Sequence, residues 1–220
     1  MISDEMKLMV EKATVTLTTS GGRGVLVSGN VIITAAHCVN YVTDGSMVLN
    51  WEHFTETINT HLGEFQATPI AVEPVADIAA LSSPSDQVLP DEAMDFSEYC
   101  DQVAPVKLAA PMTPPKWNGS SHKYHRIPVN IFTHRNTWIR GEATRASKDD
   151  GQIYIESDEL IEGGTSGSPI VSDNGELVGI VSNSSEPNEG MNISGSSPQP
   201  SLTLPVWLYN NIKHAEKNEN

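Results

Sequence analysis

The chain has 220 residues, and 28 Asp and Glu against 13 Lys and Arg give it a formal charge of −15. An acidic excess of this size argues against binding duplex DNA or an anionic bilayer, so neither a nucleic-acid nor a membrane partner is expected. Apolar residues make up 38%, with 16 Gly and 14 Pro, a composition that folds rather than one of low complexity; the length suits one large domain or two small ones sharing an interface.

The chain opens on Met1-Ile2-Ser3-Asp4-Glu5, acid where a secretory leader carries Lys or Arg, and with Met1 as the native start a cytoplasmic protein is expected. Asp4 to Glu11 reads as a short helix. Runs rich in β-branched residues follow at Ala13–Thr18, Val25–Val27 and Val31–Thr34, each a strand. Ser28-Gly29-Asn30 tolerates positive φ, which makes the last two runs a hairpin. Val31-Ile32-Ile33 breaks at Thr34, far short of the ~20 apolar residues a spanning helix needs. Further strands are expected at His53–Leu62, Phe65–Val72, Ile78–Leu81 and Val103–Leu108, enough to close a small barrel.

From Ala109 to His125 the chain is interrupted by Pro111, Pro114, Pro115 and Asn118-Gly119, which reads as a linker. Strands resume at Ile127–Thr133, Trp138–Ala146, Ile153–Glu156, Pro169–Val171, Leu177–Val181 and Leu202–Val206, with a hairpin turn at Asp173-Asn174-Gly175. Leu208, Ile212 and Ala215 in the tail after Val206 fall at helical spacing. The expected architecture is all-β: an antiparallel barrel over residues 1–108, a linker over 109–125, and a second barrel with a C-terminal helix over 126–220. Only two cysteines are present, Cys38 and Cys100, nothing like a secreted disulfide framework; free thiols are the default expectation, with a Cys38–Cys100 bond as the alternative if their Cα atoms approach within about 7 Å.

Covalent hydrolysis needs a hydroxyl, a base to deprotonate it, a carboxylate to hold the base and backbone donors for the oxyanion. His37 stands in Thr34-Ala35-Ala36-His37-Cys38, directly after an apolar strand, where small neighbours leave an imidazole room to project. Asp77 stands in Val75-Ala76-Asp77-Ile78-Ala79-Ala80-Leu81, where a carboxylate needs hydrogen-bond partners to remain ionised. Ser166 stands in Gly163-Gly164-Thr165-Ser166-Gly167-Ser168-Pro169, whose glycines permit a tight turn with the Gly164 and Ser166 amides as oxyanion donors. Taken singly, each has an ordinary structural explanation: a surface histidine, an aspartate bonding nearby amides, a flexible loop.

Their conjunction, in the order His, Asp, Ser, together with Leu177-Val178-Gly179-Ile180-Val181-Ser182, resembles the trypsin-like (chymotrypsin-fold) serine proteases along most of the chain. The resemblance implies two six-stranded barrels, with His37 as general base, Asp77 as its orienting carboxylate and Ser166 as nucleophile. It also places Ser182 beside Asp77, at the start of the strand that lines the substrate backbone. The implied activity is a serine endopeptidase acting through an acyl-enzyme, with a protein or peptide as substrate. No cofactor and no metal are implied; a dedicated regulatory partner is a plausible restraint on such an enzyme.

The sequence also departs from the family. Thr165 occupies the place where trypsin has the Asp that binds a new N-terminal amine, so no zymogen switch of that kind is expected. The turn is closer to bacterial glutamyl-endopeptidase-like branches. Where secreted members carry the half-cystine partner of Cys38, this chain has Gly22 or a neighbour. The specificity walls read Leu160-Ile161-Glu162 and, after Ser182, Asn183-Ser184-Ser185; Leu160 stands where trypsin selects Arg or Lys, and the glutamyl-selecting residues are missing, so an apolar or small P1 side chain is favoured. The acidic surface can still steer basic substrates, an effect that salt weakens. A binding module of the same fold that no longer cleaves, and an esterase using the same residues, remain as alternatives. His122, His125 and His134 invite a metal reading, but no Cys or carboxylate set completes one.

Overall fold

The computed structural model of the chain describes residues 2–39, 55–117, 122–145, 147–149, 151–157, 159–183 and 195–219. Ser3 caps helix α1 (Asp4–Ala13) by accepting from the Met6 amide at 3.2 Å, with Asp4 and Glu5 at its positive end and Lys12 at its negative end. Val10 and Ala13 on its inner face join the core of the first barrel.

That barrel is built from β1 (Thr14–Leu17), β2 (Arg23–Val27), β3 (Val31–Thr34), β4 (Glu56–Thr60), β5 (Gly63–Glu73) and β6 (Ile78–Ser82), closed in the order β1-β2-β3-β6-β5-β4. The β2–β3 hairpin turns through Ser28-Gly29-Asn30 as expected, with positive φ at Gly29 and Asn30. The expected strand start at His53 lies outside the described residues.

One element was not anticipated. Helix α2 (Pro90–Gln102) begins with Pro at its first turn, carries Asp91 and Glu92 there, and buries Ala93, Phe96 and Tyr99. It lies on the outside of β5, where the Phe96 ring meets Phe65 edge-on at 5.5 Å and Tyr99 meets it at 4.8 Å. Val103–Leu108, expected as a strand, makes only single bridges, Val27 with Val106 and Leu108 with Leu177. Val106 meets β2 beyond the stretch that pairs with β1, and Leu108 meets β13 at the open end of the second sheet, so this segment crosses between the two sheets and touches each once.

The crossing continues through a small hairpin of β7 (Lys116–Trp117) and β8 (His122–Lys123). β9 (Arg126–Phe132), β10 (Trp138–Arg145), β11 (Gln152–Ser157), β12 (Pro169–Ser172), β13 (Leu177–Ile180) and β14 (Ser197–Pro198) form the second, nearly closed barrel, in the order β13-β12-β9-β10-β11-β14. Leu202–Val206 is not a strand. Pro200 opens the short helix α3 (Pro200–Thr203), and the pairing with β11 is made earlier, by Ser197 and Pro198; Pro205, with no N–H, then separates α3 from α4 (Val206–Asn218).

Helix α4 returns to the first barrel, burying Leu208 and Ile212 in its core. Glu219 accepts from Ser28 Oγ at 2.7 Å, while Glu216, 5% exposed, accepts the Leu108 amide at 2.7 Å and pairs with Lys213. Among the described residues no helix is long and apolar enough to cross a membrane.

Cys38 and Cys100 are both free. A Cβ on Gly22 would fall 2.4 Å from Cys38 Sγ, so the neighbour that a bridge would require is a glycine. Burial, with Asp77 adding to it, pushes the Cys38 thiol up to about 11; burial, with Asp101 adding, pushes Cys100 up to about 12. Two units above its ordinary value leaves the Cys38 thiol about 100-fold poorer in thiolate at pH 8. Ellman's reagent should therefore leave both thiols almost untouched in the native protein and titrate both after denaturation; rapid native reaction at Cys38 would contradict this assignment.

Candidate active site

The first barrel brings two polar side chains together through strand register. β3 pairs antiparallel with β6, Thr34 opposite Ala79, so the end of β3 and the start of β6 lie side by side. His37 stands on the single 3₁₀ turn, Ala36–Cys38, that follows β3, and Asp77 immediately precedes β6. Asp77 Oδ2 is 2.8 Å and Oδ1 3.1 Å from His37 Nδ1, and Oδ1 accepts the His37 backbone N–H at 3.0 Å. Its backbone has φ 57°, a left-handed conformation that Asp and Asn tolerate better than other L residues.

The Asp77 carboxylate has a third donor from the second barrel: Ser182 Oγ hydrogen-bonds to Oδ2. Ser182 is 4% exposed, and its hydroxyl donates a hydrogen bond that holds the Asp77 side chain in place. With Nδ1–H donating to the carboxylate, the imidazole presents its Nε2 lone pair outward, the state needed to accept a proton. His37 is half exposed, its side chain at 46%, so that edge is reachable.

Ser166 arrives by a second piece of register. β12 and β13 pair with Pro169 opposite Ile180, which sets the Gly163–Ser168 turn beside Val181 and Ser182; Gly167 N donates to Val181 O at 2.7 Å and Val181 N to Ser168 O at 2.9 Å. Ser166 Oγ donates to the Ser182 carbonyl at 3.3 Å, and among the described residues no hydrogen bond joins it to His37. Gly164 adopts φ 87°. The amide N–H groups of Gly164 and Ser166 have no protein acceptor among the described residues, leaving two adjacent donors unspent.

The other residues singled out in the sequence are distributed as follows. Glu162 pairs with Arg135 Nη2 at 2.6 Å. Leu160, 45% exposed, lines a cavity of about 310 Å³ with Trp138, Ile139, Glu162 and Thr165, whereas Ile161, 3% exposed, belongs to the second barrel's core. Asn183 is exposed, and Ser184 lies outside the described residues.

Sequence reasoning missed two participants. Arg23, 8% exposed, donates its backbone N–H to Ser166 O at 2.8 Å, and its Nη2 reaches His134 O at 3.2 Å and Asn136 Oδ1 at 2.7 Å; its guanidinium stacks 5.0 Å over Phe132. The only sign in the sequence was a cation opening a strand otherwise apolar. His134, weighed as a metal ligand, bonds instead through Nδ1 to Thr165 Oγ1 at 3.0 Å. Among the described residues no cluster of three or more His, Cys, Asp or Glu could hold a metal ion.

Residues 22–180 match the family model described as a trypsin-like peptidase domain. No curated protein matches the chain. Among solved structures, a serine-to-alanine mutant of Rv3671c from M. tuberculosis H37Rv in its inactive form gives a TM-score of 0.54 at 16% identity, covering 100% of this chain and 94% of that one. The Rv3671c protease in its inactive form gives 0.53 at 18% identity, over 96% and 92%. At these identities the likeness is one of fold, the chymotrypsin-like double barrel.

Proposed function

Since this chain belongs to the family of trypsin-like peptidase domains, we propose that it is a serine endopeptidase in which Ser166 is the nucleophile, His37 the general base and Asp77 the carboxylate that fixes the imidazole. The observation that carries the reading is the Asp77 to His37 Nδ1 contact at 2.8 Å, with the unspent Gly164 and Ser166 amides on the neighbouring turn. The first contact leaves Nε2 basic; the two amides suit the oxygen of a tetrahedral intermediate.

The Ser166–Ser182 bond suggests how substrate completes the site. At 3.3 Å it is long for O–H···O, and a peptide N–H aligned along Ser182 would compete for the same carbonyl. Ser166 Oγ, displaced, rotates about χ1 toward His37 Nε2, gives up its proton there and attacks the scissile carbonyl; the imidazolium returns that proton to the leaving amine, and water then hydrolyses the acyl-enzyme. P1 is read as apolar or small from Leu160, and a peptide library cleaved after Arg, Lys or Glu would overturn that assignment.

The test is labelling of wild type, Ser166→Ala and His37→Ala with a fluorophosphonate probe, followed by mass spectrometry of the adduct. Label on Ser166, lost in both variants, is expected. Folded wild type that takes no label, or label elsewhere, overturns the reading.

A further inference from the structure

Four residues form a circuit around the proposed nucleophile. Ser166 is joined by a peptide bond to Thr165; Thr165 Oγ1 bonds to His134 Nδ1 at 3.0 Å; His134 O accepts from Arg23 Nη2 at 3.2 Å; and the Arg23 amide returns to Ser166 O at 2.8 Å. The circuit crosses from the second barrel to the first and back. Arg23 belongs to β2, whereas His134 sits in the turn between β9 and β10.

The Ser166–Ser168 end of the turn is held by backbone bonds, Gly167 N to Val181 O at 2.7 Å and Ser168 N to Thr165 O at 3.0 Å, whereas its Gly163–Gly164 end has fewer contacts. Gly163 and Gly164 stand together just before Thr165, so the backbone there is the most permissive the chain can offer. A Cβ on Gly163 would meet nothing within 4 Å. Behind the turn lies the cavity of about 310 Å³, bounded by His134, Trp138, Ile139, Leu160 and Thr165, so close packing does not set the position of this side of the loop. On this side the contacts are the Thr165 N to Glu162 O bond at 3.3 Å, the pairing of Arg135 with Glu162 at 2.6 Å, and those of His134, whose Nε2 is 3.9 Å from Glu162 Oε2 and whose ring lies against Gly164, its Cγ 3.6 Å from where a Cβ would be. Thr165 is fully buried, and a buried hydroxyl without its partner is costly.

We infer that His134 is a positioning residue for the oxyanion-binding turn, acting through the Thr165 hydroxyl to hold the Gly164 and Ser166 amides toward the reacting carbonyl. The inference rests on the proposed serine-protease reading and assigns His134 no contact with substrate. Amides that are free to swing still permit substrate to bind elsewhere along the site; they fail when charge develops on the carbonyl oxygen. The loss therefore falls on kcat.

The experiment uses the geometry of the imidazole. An asparagine places a polar atom near Nδ1, a glutamine near Nε2, so the two amides separate the bond to Thr165 from the mere presence of a polar side chain. kcat, KM and the fluorophosphonate labelling rate would be measured for wild type, His134→Asn, His134→Gln, Thr165→Ser and Thr165→Val, with thermal unfolding of each. His134→Gln and Thr165→Val are expected to lose about 10- to 100-fold in kcat and labelling rate, a share of what removal of an oxyanion donor costs, with KM within about twofold. His134→Asn and Thr165→Ser should recover most of it. Wild type labelled on Ser166 with His134→Gln equally active, or with Asn no better than Gln, overturns the inference and leaves the protease reading standing. Folded wild type without label on Ser166 overturns both. If Thr165→Val does not fold, the histidine pair still decides.

Discussion

Asp77→Asn should lower kcat by about 10⁴ while leaving KM and the unfolding temperature nearly unchanged. The carboxylate accepts from three donors: the His37 amide at 3.0 Å, His37 Nδ1 at 2.8 Å and Ser182 Oγ. A carboxamide can accept on one oxygen only, and its NH₂ turned toward His37 requires Nδ1 to become the acceptor. The ring proton then moves to Nε2, the atom that must receive the Ser166 proton, so the base is removed although every heavy atom remains. Asparagine is also the clean substitution on backbone grounds, because φ 57° at this position is tolerated by Asn and strains an alanine. Ser182→Ala serves as the graded comparison. It deletes one donor and keeps the tautomer, for a loss of about tenfold, in line with one charge-assisted hydrogen bond of 1.5 kcal/mol or so. Steady-state kinetics on one peptide substrate reads both; equal losses in the two variants would mean that Asp77 does not act by setting the tautomer.

What the sequence made legible, and what it did not, divides along physical lines. Elements with strong local rules were readable: the Ser28-Gly29-Asn30 turn needs positive φ and has it at Gly29 and Asn30, and α1 carries its cap at Ser3 and its charges at the ends. Helix α2 carries start signals too, Pro90, Asp91 and Glu92, but its buried face of Ala93, Phe96 and Tyr99 is narrow and gives only a weak periodic pattern. Val103–Leu108 has the composition of a strand and fails to become one because it divides its pairing, one bridge to β2 and one to β13, as it passes from one barrel to the other, a property of the assembled fold. Leu202–Val206 is likewise rich in apolar residues, but Pro200 and Pro205 on either side start a helix turn and then break it. The His37, Asp77 and Ser166 motifs, each ordinary alone, stand out through their conjunction in the order His, Asp, Ser. Arg23 and His134 do not, because their meaning lies in contacts between residues far apart in the chain, Arg23 Nη2 with His134 O and Asn136 Oδ1 and His134 Nδ1 with Thr165 Oγ1, and no local pattern encodes such a contact.

The largest expected loss of stability is at Gly167, directly after the proposed nucleophile. A Cβ there would lie 1.8 Å from the Arg23 carbonyl oxygen and 2.6 Å from Thr34 Oγ1, with φ at +80°. Neither neighbour can step aside: the obstructing oxygen is backbone of β2, and it already accepts the Thr34 hydroxyl at 2.5 Å. Relief requires moving the Gly163–Ser168 turn away from β2, which breaks the Arg23 N to Ser166 O bond of 2.8 Å and opens the contact between the barrels at the point where the active site depends on it. Gly167→Ala should therefore cost at least about 3 kcal/mol, combining strained backbone with steric overlap, and lower Tm by roughly 10 °C for a chain of this size. Gly163→Ala, four residues earlier, meets nothing within 4 Å and carries no positive φ, so it should change stability by no more than about 0.5 kcal/mol. Thermal unfolding of the two variants beside wild type separates the explanations: a large loss at 167 alone follows from the close approach to Arg23, whereas similar losses at both would make loop flexibility, not the contact between barrels, the reason these glycines are there.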